Sequence, residues 1–155
     1  MTSTRQKPNP SPTRSQLIRV FNRQRKHRLD LPRIRQAAAH VAQALGLEQQ
    51  EIGVIFIGDR KMRRLNRQYR GKSGSTDVLS FGQTGIADYL GDVFISVETA
   101  SVNAFRAGHS LRQETAILVL HGLLHLTGYD HETDQGEMKA LERKMRRSRL
   151  LHAGS

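Results

Sequence analysis

A mixed β-sheet of about four strands packed with about five helices, an α+β arrangement in one domain, is predicted from the pattern of apolar segments. Three observations carry that expectation. The 155 residues suffice for one hydrophobic core. Strand-like segments alternate with helix-like ones, and the chain closes on two helical segments. No internal repeat points to a solenoid or a propeller.

Residues 1–16 are polar and proline-punctuated, with almost nothing apolar to bury, and are expected to be a disordered basic arm. Residues 17–155 are expected to form a single catalytic domain. Residues 17–21 alternate and suit a first strand. Pro32 fits the first turn of a helix that runs through Ala37, Ala38 and Ala39 to about residue 45, with Gly46 as its stop. Residues 51–57 read as a strand from their β-branched content. Gly58 and Asp59 open a helix through residue 69, with Met62 and Leu65 apolar and Arg63, Arg64 and Arg67 exposed. Residues 71–75 are expected as a loop, 76–81 as a strand, 83–88 as a connection, 90–97 as a strand and 98–107 as a short helix. Ser110 and Gln113 form a capping box. It opens a helix over 114–126 that is apolar enough to be buried. A final amphipathic helix is expected over 133–150, with Met138, Leu141 and Met145 on one side.

Composition narrows the functional classes. The absence of cysteine excludes disulfides and thiolate metal sites and agrees with a reducing cytoplasm. No stretch approaches the roughly 18 apolar residues of a membrane span, and the N-terminus lacks the apolar core of a secretory signal. A soluble cytoplasmic protein without a membrane partner is expected. The net charge of +11 is unevenly spread. Residues 1–35 hold ten Lys and Arg against Asp30, 58–76 hold seven against Asp59, and 77–132 hold two against seven acids. Basic blocks flanking a less basic centre suit a polyanion lying across a site. A solvated basic surface with a free tail would have the same composition. With five Phe, three Tyr and no Trp, a broad base-stacking platform is not expected.

The chemistry concentrates at His121, His125 and His131. The first two lie at i and i+4 of the buried helix, on one face, at a separation that lets two ring nitrogens share an ion. Gly128 suits the left-handed turn that ends a helix, after which the chain can double back and bring His131 to the same ion. Three neutral nitrogens with an open fourth position are the ligand set of a catalytic zinc, and they would also accept nickel or copper. The spacing matches the long zinc signature of one group of metalloproteases, which carries a glutamate base directly after its first histidine. Here that position is Gly122, so a peptidase mechanism lacks its base. Asp92 and Asp130 are candidates to orient a ligand imidazole, or equally to cap turns. Arg70 offers a permanently charged fork for phosphate. By residue chemistry alone it could equally be a surface arginine favourable to a helix C-terminus.

The histidine motif, the block from Leu65 through Asn66, Arg67, Gln68, Tyr69, Arg70 and Gly71 to Lys72, the strand Thr76-Asp77-Val78-Leu79-Ser80-Phe81, and Leu90-Gly91-Asp92-Val93 together resemble the YbeY family. That family comprises bacterial metal-dependent endoribonucleases linked to ribosomal RNA maturation. The resemblance runs from about Arg19 through the final helix. It implies that His121, His125 and His131 are zinc ligands, that Arg70 has a catalytic role, and that single-stranded RNA, rRNA and the ribosome are the partners. The chain departs from the family at Lys72-Ser73-Gly74-Ser75, where an acidic residue and a proline are common, so the loop's shape is not carried over. Two other readings stand beside the nuclease: a non-enzymatic ribosome-associated factor stapled by its metal, and a zinc hydrolase of another bond.

Overall fold

The computed structural model describes residues 17–83, 85–128, 136, 139–140 and 143–144. They form β1 (Ile18–Asn22), α1 (Leu31–Ala44), β2 (Glu51–Ile57), α2 (Asp59–Arg70), β3 (Val78–Gly82), β4 (Tyr89–Ser96), α3 (Val97–Ala107) and α4 (Leu111–Leu126). The α+β arrangement is as expected, with four helices among the described residues rather than about five. The fifth, expected over 133–150, falls largely outside the described residues, as does the arm expected over 1–16.

The sheet is four-stranded in the order β1-β2-β4-β3. β1 and β4 run parallel to β2, and β3 lies antiparallel to β4, which makes the sheet mixed. Parallel neighbours need a crossover, and α1 supplies it between β1 and β2. β2 is buried without interruption from Ile52 to Ile57 because helices cover both faces of the sheet. On one face, Ile52, Val54 and Phe56 of β2 and Val93 and Ile95 of β4 pack with α1, α3 and α4. On the other, Ile55, Ile57 and Leu79 enclose Met62 of α2. α4 is apolar over most of its surface because it lies against α1, α3, β3 and β4 at once.

Local signals explain the boundaries. Asp30 caps α1 by accepting from the Arg33 N–H at 3.3 Å, with Pro32 in the first turn. The capping box at Ser110 and Gln113 opens α4 as expected. β4 stops at Ser96, one residue before the expected end, because Ser96 turns to cap α3. β3 begins at Val78 rather than Thr76. The residues before it are bonded sideways: Ser75 Oγ donates to Asp59 at 2.6 Å and Asn103 Nδ2 to Asp77 at 3.2 Å.

Candidate active site

β3 is the edge strand of the sheet, with α2 against one face and α4 against the other. A cleft of about 850 Å³ wraps that edge, lined by Tyr69 and Arg70, by every residue from Thr76 to Phe81, and by His121, His125 and Gly128. Successive strand residues point to opposite faces, so six in a row can line one cavity only where it opens on the strand's free side. Hydrogen bonding sets the phase. Ser96 N–H donates to Asp77 O at 2.9 Å and Gln83 N–H to Leu90 O at 3.2 Å, so the odd-numbered residues bond to β4. The N–H and C=O groups of Val78 and Ser80 therefore point outward, into the cleft. The Ser80 hydroxyl is buried and has no hydrogen-bond partner among the described residues.

One wall is the last part of α4. His121 is half-buried and His125 exposed, one turn apart on the side facing the cleft. Gly128, with φ +95°, follows the end of the helix as the left-handed turn expected there. Between the histidines, Gly122 is pressed onto the sheet. A Cβ at that position would lie 2.6 and 2.8 Å from the Val93 methyls and 3.0 Å from Ser80 Oγ. A glutamate cannot occupy the place it has in the metalloprotease signature, because this position faces β4 rather than the cleft. Gly122→Ala is expected to lower stability by about 1–3 kcal/mol from overpacking, partly offset by about 1 kcal/mol of helix propensity. Urea unfolding checks this, and a variant at least as stable as the parent would show that α4 can shift away from the sheet.

The other wall is the C-terminal end of α2. Arg70 is the last helical residue and is exposed. Among the described residues it has no ion-pair partner. Gly71 ends the helix at φ +63°, a left-handed conformation that suits glycine. The loop then folds back along α2. Asn66 Nδ2 donates to Gly74 O at 3.1 Å, and Ser75 Oγ reaches Asp59 at the other end of the helix. Asp59 Oδ1 also accepts from Ser96 Oγ and from Thr99 Oγ1, each at 2.7 Å. This carboxylate thus ties together α2, the loop before β3 and the start of α3.

Burial tends to raise the Asp59 pKa, but the three hydroxyl donors and the nearby Arg63 outweigh it and hold the carboxyl below its ordinary value. The unfolded chain therefore takes up the proton first. The contribution to stability is present at neutral pH and is lost as pH falls from the ordinary carboxylate range through the depressed folded value. Asp59→Ala is expected to cost about 2–3 kcal/mol at pH 7, since several bonds to a charged acceptor are lost. Asp59→Asn is expected to flatten the acid limb of a stability-against-pH curve. An acid limb identical to the parent's would show that another carboxylate dominates it.

The model of the family described as Endoribonuclease YbeY matches residues 19–149 of the chain. The chain belongs to the YbeY family. Proteins named Endoribonuclease YbeY from Geobacter metallireducens and Thermus thermophilus illustrate the relation. The first is 40% identical over 136 residues, covering 83% of this chain and 91% of the relative. The second is 38% identical over 124 residues, covering 77% and 89%. The solution structure of a Thermotoga maritima protein superposes with a TM-score of 0.60 at 24% identity, over 86% of this chain and 88% of that one, which shows the same fold.

In this YbeY-family chain, three of the four predicted site residues, Arg70, His121 and His125, line one cleft although they come from helices on opposite faces of the sheet. The fourth, His131, and the candidate orienting residue Asp130 lie outside the described residues. Among the described residues no group of three His, Cys, Asp or Glu could hold a metal. The two imidazoles that are described fit a transition-metal ion in donor type and spacing. Asp92 does not serve them. It alternates with the core-facing Val93, so it lies on the α2 side of the sheet, and there it accepts from the Tyr89 hydroxyl. Burial first, then that hydrogen bond, push the Tyr89 phenol up to about 12. Tyr69, Asp77 and Ser80 also line the cleft; they stand in the motifs that carry the resemblance, but the sequence assigns them no site role. The one available signal was the placement of polar Asp77 and Ser80 in an otherwise apolar strand.

No helix among the described residues is long and apolar enough to cross a membrane.

Proposed function

We propose that the chain is a metal-dependent endoribonuclease that cuts single-stranded RNA in the cytoplasm, in the processing of rRNA and the maturation or quality control of ribosomes. The observation that carries this reading is the shared cleft, with a permanently charged guanidinium on one wall and two imidazoles on the other. Relatives that cover most of their length with this chain bear the name endoribonuclease. The cleft has the volume of a small-molecule pocket, room for part of one strand rather than a duplex.

His121, His125 and His131 would hold one zinc ion. When bound, such an ion supplies Lewis acidity toward a phosphoryl oxygen and lowers the pKa of water to about 7. The remaining roles belong to the chain. Arg70 grips a non-bridging phosphate oxygen pair and stabilises charge that builds up there. The Asp59 hub and the Asn66–Gly74 bond hold the loop after Arg70 against α2. The outward N–H groups of Val78 and Ser80 donate to the strand passing along β3.

The test is incubation of zinc-loaded protein with single-stranded and duplex RNA of the same sequence. Internal cuts in the single strand, with little in the duplex, are the expected result. An intact single strand after exposure to folded, zinc-loaded protein would overturn the reading in favour of a non-enzymatic RNA-binding factor.

A further inference from the structure

We infer that Tyr69 forms a stacking subsite for one unpaired nucleobase beside the phosphate gripped by Arg70. This inference rests on the proposed function and names how the same cleft takes its substrate. Tyr69 is a large side chain with 59% of its surface exposed, yet it lines the cleft rather than an outer face. Its ring is held from behind. It meets Phe81 edge-on, with centroids 5.0 Å apart at 64°, and Phe81 meets Phe94 in the same way at 5.6 Å and 79°. Edge-to-face pairing is a favoured aromatic geometry and biases the ring toward this position. More than half of its surface stays open, on the side that lines the cleft.

An exposed ring that is already positioned loses little freedom when something flat covers it. Every base presents a π-face, so stacking tolerates sequence. A base in a duplex is already covered on both sides by its neighbours and is not free to stack on the tyrosine. One ring of this kind therefore favours single strands without needing a broad aromatic platform, which the composition does not supply. Arg70 lines the same cleft, so a base on Tyr69 and the phosphate on Arg70 can belong to nearby parts of one strand. The outward N–H and C=O groups of Val78 and Ser80 run along the β3 edge in the same cleft and offer donors and acceptors to the RNA strand.

The experiment uses the full zinc-loaded chain and single-stranded oligonucleotides of defined cleavage position. One abasic nucleotide is stepped across that position. Tyr69→Ala is expected to weaken binding of the intact RNA by about 5- to 150-fold, with a small fall in melting temperature from the lost Phe81 contact and zinc content unchanged, and Tyr69→Phe is expected to stay near the parent in all three. At one abasic position the parent should lose the same factor. At that position Tyr69→Ala should lose nothing further, because the partner is already gone. If the parent cuts single-stranded RNA and Tyr69→Ala binds it as tightly, the subsite is wrong and the nuclease reading stands. If Tyr69→Ala is weaker but no abasic position abolishes its difference from the parent, the ring shapes the cleft without stacking, which also overturns the subsite. If the parent neither binds nor cuts single-stranded RNA, the nuclease reading fails and the subsite fails with it.

Discussion

Replacing Arg70 by glutamate is expected to abolish RNA cleavage, with a loss of at least 10²–10³ in rate on the order known for removing a group that stabilises transition-state charge. The fold should survive. Arg70 is exposed at the end of α2 and is not part of either core cluster. The substitution places a negative charge at a helix C-terminus, which costs about 0.3–1 kcal/mol, so only a small fall in melting temperature is expected. Zinc content should be that of the parent, since Arg70 stands on the opposite wall from the histidines. Arg70→Lys should recover part of the rate, because an ammonium keeps the charge and loses the two-pronged geometry. Single-turnover cleavage at saturating enzyme separates chemistry from binding. Were the chain only an RNA-binding factor, the same substitution would weaken affinity and leave any trace nuclease activity as it was. A glutamate variant that cuts at the parent rate would remove Arg70 from the mechanism.

Loss of metal is expected when His125 is replaced by alanine. Of three proposed ligands two would remain, and zinc retention should fall by orders of magnitude. His125 is exposed on the last turn of α4, and its removal opens no cavity in the core. The metal-free parent and metal-free variant should therefore melt at nearly the same temperature. The difference should appear on adding zinc, which stabilises only a protein that binds it, by mass action. Elemental analysis of the purified variant is the direct measurement. One full equivalent of zinc, resistant to dialysis, would show that the proposed triad is not the site. Cleavage should be lost in parallel, and removing zinc from the parent with a chelator should reproduce that loss and be reversed by adding the metal back.

Much of the fold was legible because it follows from local patterns. β2 spans the predicted residues 51–57, since a continuous β-branched run between turn signals has one good solution in a sheet covered on both sides. The capping box at Ser110 opens α4 because its two reciprocal hydrogen bonds lie within one turn. Boundaries were missed where a side chain from elsewhere intervened. Thr76 and Asp77 have strand character, yet Ser75 and Asp77 are bonded to side chains of α2 and α3, and the strand starts only at Val78.

The site divides in the same way. The histidine pair was readable because i and i+4 share a helix face whatever the rest of the molecule does. Gly122 was readable as an anomaly but not as a contact, since nothing in the sequence says that Val93 and Ser80 lie against it. The side of the sheet to which Asp92 belongs is settled by strand parity combined with the position of α4, and parity alone leaves it open. Sequence by itself determined the elements, the buried helix and two histidines on one of its faces, because each depends on residues within a few positions of one another. Only the tertiary structure decided that Arg70 shares a cleft with those histidines, fifty-one and fifty-five positions away. That meeting depends on β3 taking the edge of the sheet, on the loop after Gly71 folding back to Asp59, and on α2 and α4 covering opposite faces. Each of these is a long-range packing outcome with no local signature.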